Sequence, residues 1–151
     1  MIKILCVGKI KEKFYRDAID EYLKRMQKYT KIAIIECKDY SDLPINDILE
    51  KEKIELEKNI NLKDYIITLE IDGKQLSSVE LSEKIENIYL TNSNITFIIG
   101  GSYGIHESIK KMSNFKLSFS KMTFPHQLFR IILLEQIYRS FKIINNESYH
   151  K

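Results

Sequence analysis

Five short apolar runs, separated by segments of helical periodicity, constrain the fold more than any other feature of the chain. They are Ile2 to Val7, Ile32 to Cys37, Tyr65 to Ile71, Ile95 to Ile99 and Phe115 to Phe119. Runs of this length, apolar at mostly consecutive positions, have the pattern of strands covered on both faces. Between them, residues 12–29 set Tyr15, Ala18, Ile19, Tyr22, Leu23 and Met26 at helical spacing with charges opposite. Residues 47–60 predict a charged, exposed helix, and Asp39 to Asn46, with Pro44, predicts a loop before it. Ser77-x-x-Glu80 has the form of a capping box opening a helix that buries Leu81, Ile85 and Ile88. A short helix is expected from Ile105 to Met112, and a last one over 126–142 behind Pro125. Asp72-Gly73 is read as the turn that closes the third strand. Strand and helix alternating throughout predict an α/β fold with a mostly parallel sheet. No repeat or linker interrupts the pattern, so one domain over 1–151 is expected.

Composition narrows the classes further. The chain is 44% hydrophobic and 30% charged, with 5 glycines and 2 prolines, which is enough apolar surface for a core and excludes disordered or collagen-like classes. Its longest apolar runs, such as Ile131 to Leu134, fall far short of the roughly 20 residues a bilayer needs. The start lacks the pattern of a signal peptide, so a cytoplasmic protein without membrane contact is expected. Cys6 and Cys37 each lie in a strand-like run and are read as reduced core thiols. No ligand spacing points to a metal.

Charge is unevenly distributed. Residues 1–30 carry 8 basic against 4 acidic side chains, residues 31–104 carry 8 against 14, and residues 105–151 carry 8 against 3. Basic ends around an acidic middle suit a polyanionic partner, although Lys-rich helices also serve as plain solvated faces. Arg16, Lys24, Arg25 and Lys28 are the candidate phosphate contacts. In the last helix, 9 of the 14 residues from Leu128 to Phe141 are apolar and occupy most sides of the cylinder. Such a helix is buried nearly all round. Either one side meets the sheet and the other a second subunit, or the helix is central to its own chain.

Two loops are the places where chemistry is expected. Gly100, Gly101 and Gly104 follow the fourth strand in the string GGSYG, where a missing side chain lets another molecule approach the backbone. The carboxyl end of a parallel strand is a common ligand site. The string is neither a dinucleotide fingerprint nor a phosphate loop, and a bare turn is the simpler alternative. Ser118 to His126 is hydroxyl-rich with flanking aromatics, so that Leu69, Phe119, Met122 and Phe124 are placed to enclose an aromatic ring. His106 is read as a helix cap, and His126 as orienting the last helix or the loop before it. Tyr149-His150-Lys151 brings an aromatic, an imidazole and a cation to a basic tail, a set that can stack on a base and pair with phosphate. A frayed tail is the ordinary alternative. No hydrolase arrangement is present.

The strings FIIGGSYGI, LSFSKMTFPHQLFRIILLEQIYRSFKI and the ending YHK resemble the bacterial ribosomal RNA large subunit methyltransferase H family, of the SPOUT class. ILCVGKIKEKFYRDAIDEY and ITLEIDGKQLSS resemble it too, so the likeness spans essentially the whole chain and is weakest between Asp39 and Asn61. The resemblance implies an α/β-knot, its parallel sheet flanked by helices and its C-terminal half tied in a deep trefoil knot. It implies a homodimer that binds S-adenosyl-L-methionine and methylates N3 of a pseudouridine in 23S rRNA on the assembled 70S ribosome. Cofactor contacts carried over are Leu69, Gly100 and the segment Phe119, Ser120, Lys121, Met122, Thr123 and Phe124; Tyr149, His150 and Lys151 match the ending implicated in substrate binding and catalysis. Tyr103 stands where many members have Asn or Asp, which leaves the glycines intact but puts a specific role for a polar side chain there in doubt. A SPOUT enzyme acting on tRNA and a noncatalytic ribosome-binding module are the alternatives.

Overall fold

Every apolar run forms a strand in the computed structural model, which describes residues 1–151. In chain order the elements are β1 (Ile2–Val7), α1 (Lys13–Met26), β2 (Ile32–Cys37), α2 (Ile45–Glu57), β3 (Tyr65–Gln75), α3 (Ser78–Tyr89), β4 (Ile95–Ile99), α4 (Glu107–Met112), β5 (Phe115–Ser118) and α5 (His126–Ile144). The strands form one parallel sheet in the order β2-β1-β4-β3-β5. Strand alternation sorts the core into two layers. Ile2, Ile4 and Cys6 with Ile95, Phe97 and Ile99 face α1, α3 and α5, while Leu5, Val7, Ile66 and Ile98 face α2 and α4. Successive crossovers reverse direction along the sheet and also change face, which keeps them of one hand. Both cysteines are free and buried within this core.

Local signals account for several element ends. Ser77 accepts from the Glu80 amide at 3.1 Å and Glu80 accepts from the Ser77 amide at 2.7 Å, completing the capping box. His106 caps α4, its Nδ1 accepting from the Ser108 amide at 3.0 Å. At the other end of α5, Asn146 has φ of 54°, and the Glu147 amide donates back to Lys142 O at 2.9 Å. That left-handed turn folds the tail back along the helix.

Three expectations are corrected. Asp72-Gly73 does not close β3. The strand loops out between Leu69 and Lys74, both paired with Leu117, and runs on to Gln75. A Cβ on Gly73 would lie 2.7 Å from Lys116 O, so this glycine serves a close approach of two strands rather than a terminal turn. Second, α2 is not a wholly exposed helix. Ile48, Glu52 and Leu56, at i, i+4 and i+8, make a buried stripe against the sheet. Third, most of α5 is covered from within the chain, although Leu128 and Ile132 pack into neither core layer. α1 and α3 lie on either side and the sheet beneath, and no residue of α5 is exposed.

Candidate functional site

The looped-out middle of β3 and the carboxyl ends of β4 and β5 converge on one cavity of about 310 Å³. The looped-out part of β3 supplies Leu69, Glu70 and Ile71, the turn after β4 supplies Gly100, Gly101, Ser102 and Gly104, and the segment after β5 supplies Phe119, Ser120, Met122, Thr123 and Phe124. The volume lies at the lower end of the range of small-molecule sites, roughly 300–1,000 Å³. Its aromatic wall is ordered: Phe119 meets Phe129 of α5 edge-on at 5.0 Å, and Phe124 stacks on Phe129 at 6.0 Å. The Ser120 hydroxyl accepts from the Met122 amide at 3.0 Å and fixes the turn between them.

Gly100 is required by the turn's own packing. A Cβ there would sit 2.5 Å from the carbonyl oxygen of Gly104 and 2.8 Å from Ile105. The glycine string therefore closes on itself, Gly104 donating to Gly101 O at 3.1 Å, and presents bare backbone to the cavity.

Leu69, Gly100, Phe119, Ser120, Met122, Thr123 and Phe124 all line this one cavity, although they come from three separated stretches of the chain. Lys121 does not line it; its side chain is exposed on the outside of the loop. Met122 is 74% exposed, which leaves the cavity open on the loop side. Sequence reasoning did not single out Glu70, Ile71, Ser102 or Phe129, yet each lines the cavity. For Glu70, Ile71 and Ser102 the only signal was adjacency to residues already chosen, and Phe129 stood only within the apolar pattern of the last helix. Glu70 is held by the Thr68 hydroxyl at 2.6 Å and approached by Lys110 at 3.6 Å. His126 also lines the cavity, and burial together with neighbouring Arg130 pushes its imidazole below the ordinary range, favouring the neutral ring.

The tail sits elsewhere. The Tyr149 hydroxyl donates to Glu135 at 2.9 Å, its ring meets Tyr138 edge-on at 5.1 Å, and Arg139 covers the other side at 4.7 Å. His150 Nδ1 lies 3.2 Å from Arg139, while Lys151 is exposed. Glu135 is nine residues from His126, roughly 13 Å along the helix axis. None of the three tail residues lines the cavity of its own chain. Burial and the bond to Glu135 hold the Tyr149 phenol above its usual range, so it stays protonated.

Part of the basic set joins the tail. Lys28 pairs with Glu147 at 3.0 Å, and Arg25 lies over the rings of Tyr22 and Tyr138 at 5.6 and 5.8 Å. Tyr22 donates to the same Glu135 oxygen as Tyr149, at 2.8 Å. Arg16, in the first turn of α1, lies apart from this cluster; it and Lys24 are exposed and form no ion pair within 4.0 Å.

Fold and cavity together define a parallel α/β protein with a glycine- and aromatic-lined cavity over its sheet. A family profile described as "Predicted SPOUT methyltransferase" matches residues 1–150. A protein of Clostridium botulinum (strain Kyoto / Type A2) named ribosomal RNA large subunit methyltransferase H is 54% identical over 158 residues, covering 99% of each chain. Its counterpart of the same name from strain Loch Maree / Type A3 is 51% identical, again over 99% of each. A solved structure of a probable methylase family protein from Haemophilus influenzae superposes with a TM-score of 0.57 at 12% identity, covering 99% of this chain and 70% of that one; this likeness concerns the fold alone. The chain belongs to the SPOUT methyltransferases and, among them, to the ribosomal RNA large subunit methyltransferase H family. No helix is long and apolar enough to cross a membrane.

Proposed function

We propose that the chain transfers a methyl group from S-adenosyl-L-methionine to N3 of a pseudouridine in 23S rRNA, acting in the cytoplasm on the assembled 70S ribosome as a homodimer. The observation that carries the reading is the cavity shared by β3, β4 and β5, in a chain that matches named relatives along its whole length.

The residues present suit the cofactor. Gly100 and its neighbours offer backbone amides and carbonyls without side-chain obstruction, and Leu69, Phe119, Phe124 and Phe129 offer apolar walls for a purine ring. When bound, S-adenosylmethionine supplies a methyl group on a sulfonium centre. The task of the protein is then to align donor and acceptor. The 119–124 segment would hold one side of the cofactor and the glycine turn the other. A C-terminal path threaded as a knot would bring these two segments together.

Two observations support the homodimer. Leu128 and Ile132, one turn apart on α5, are half-buried yet belong to neither core layer, and they follow the exposed Met122 and Phe124. A second copy can cover such a strip. The tail is also tied away from its own cavity, so delivery to a reacting base is simplest from the other subunit. There Tyr149, His150 and Lys151 would position the RNA, with Arg16, Lys24, Arg25 and Lys28 meeting phosphates.

The test is transfer of labelled methyl from S-adenosylmethionine to 70S ribosomes, free 50S subunits and tRNA in parallel, with ribosomes from cells lacking the enzyme. Label in 23S rRNA, strongest with 70S, is expected. Label in tRNA alone would replace the target, and cofactor binding without transfer to any acceptor would point to a noncatalytic module.

A further inference from the structure

Beside the cofactor cavity lies a second, more polar cleft of about 600 Å³, between the loop after β2, the buried stripe of α2 and the glycine turn. The two share Gly101, Ser102 and His126, so an occupant of one adjoins an occupant of the other. Glu52 forms part of the cleft wall. It is 4% exposed, and its Oε1 is buried with no hydrogen-bond partner, while Oε2 accepts only the Tyr40 amide at 3.2 Å. A buried carboxylate with an unused oxygen is costly unless a donor arrives to meet it. The site is also built around this group. A Cβ on Gly101 would lie 3.0 Å from Glu52 Oε1, tighter than an ordinary contact, so the glycine gives the carboxylate its place under the turn.

The rest of the lining narrows the ligand. Asp39 and Asp42 join Glu52, so the cleft is rich in acceptors and repels phosphate. Tyr103 is 53% exposed at its rim and offers a free ring face. The Tyr40 ring, by contrast, has the ammonium groups of Lys38 and Lys51 near it, at 4.9 and 5.5 Å. An exposed aromatic ring and a carboxylate acceptor on one cleft suit a neutral, planar ring with N–H donors, and the two lysines near Tyr40 suit the backbone of the strand that carries it.

We propose that this cleft seats the acceptor base, a uracil-type ring turned out of its strand, with Tyr103 stacking on the ring and Glu52 accepting an imide N–H. The assignment rests on the RNA methyltransferase reading and names the part of the protein that holds the substrate. Rotation about the last side-chain torsion of Glu52, which is soft, presents Oε1 to the ligand. Burial pushes the Glu52 carboxyl up; the Tyr40 amide opposes this and Asp39 adds to it, while Asp42, Tyr40, Tyr103 and His126 are the other titratable groups lining the same cleft.

The test uses binding and turnover together. Pseudouridine nucleoside is titrated into the ¹⁵N-labelled, cofactor-free protein to the order of 10 mM, above the roughly millimolar affinity expected of so small a ligand. Amide shifts centred on Tyr40, Gly101 and Tyr103 are expected. They should be absent with N3-methylpseudouridine and absent in Glu52→Gln. In the ribosome assay Glu52→Gln should lower kcat/KM by about 10–100-fold, with cofactor affinity within twofold of the parent and an unchanged melting temperature. Ser41→Trp, at the exposed mouth of the cleft, should raise KM for ribosomes without altering cofactor affinity. Shifts elsewhere, no shifts, equal shifts with the N3-methyl nucleoside, or full activity in Glu52→Gln would overturn the assignment. Loss of cofactor binding in Glu52→Gln would overturn it too, by making the residue part of the first cavity. The parent enzyme in the same assay separates the two readings: if it labels no RNA, the methyltransferase reading fails; if it labels 23S rRNA and the variants do so equally, only the cleft assignment fails.

Discussion

The guanidinium of Arg130 and the carboxylate of Glu36, 94 residues apart in the chain, meet at 2.7 Å beneath the start of α5. Arg130 is 1% exposed and also donates to the carbonyls of Val7 and Gly8, at 3.3 and 2.7 Å. One side chain thus ties α5 to the ends of β1 and β2, next to both cavities. Arg130→Met keeps much of the volume but leaves two buried carbonyls without their donor. It should cost about 2–4 kcal/mol, read as a fall in the urea midpoint at constant slope.

Gly100→Ala tests the closure of the glycine turn. The added methyl cannot fit 2.5 Å from Gly104 O, so the turn must open and its cavity face must move. Cofactor affinity should fall at least tenfold, about 1.4 kcal/mol, by calorimetry. Unchanged affinity would remove this turn from the site.

Removing Tyr149, His150 and Lys151 should abolish methyl transfer to ribosomes while cofactor affinity stays near normal, because none of the three lines the cavity. A fully active truncation would show that the tail has no part in the reaction. Glu135→Gln is a milder companion. It weakens the acceptor shared by Tyr22 and Tyr149, and should loosen the tail, read as faster amide exchange at Tyr149.

The tail anchor should be sensitive to acid at an unusually low pH. Hydrogen bonds from Lys142, Lys28 and Tyr29 pull the Glu147 carboxyl down to about 2 from an ordinary 4.5. A depressed carboxylate contributes stability that is fully present above its unfolded pKa and is lost as pH falls through the folded one. The tail should therefore stay attached at neutral pH and loosen progressively between about 4.5 and about 2. Carbon-detected titration of Glu147 checks the midpoint. Glu147→Gln should free the tail at pH 7.

Neutralising Lys24, Arg25 and Lys28 together should weaken ribosome binding and flatten its salt dependence. Each lost phosphate contact lowers the slope of log affinity against log salt by roughly 0.7–0.9. An unchanged slope would assign these side chains to a solvated face.

Local pattern carried the elements. The bounds expected for the strands at Ile2, Ile32 and Ile95 are those observed, and the capping box and the His106 cap formed where their residue types stood. These features depend on neighbours a few positions away, which a sequence displays directly. The site was legible only in part. Gly100 and the apolar set Leu69, Phe119, Met122 and Phe124 were read from their loops, and the family resemblance joined them with Ser120 and Thr123 into one cofactor site, since no periodicity links three stretches of chain so far apart. Glu52 was hidden in a helix whose charges read as solvated, because its neighbours Ile48 and Leu56 define a buried stripe only once the sheet is in place.

By itself, then, the sequence determined five strands, five helices, their alternation and the family to which the chain belongs, because each is written in short-range spacing or in contiguous strings. Tertiary structure alone decided the strand order, the continuation of β3 past Gly73 and the covering of α5 by α1 and α3. It also decided the binding of the tail to Glu135 and the meeting of Glu52 with Gly101. Those outcomes depend on which distant surfaces pack together. They follow from the energy of the whole assembled core rather than from the preference of any one segment.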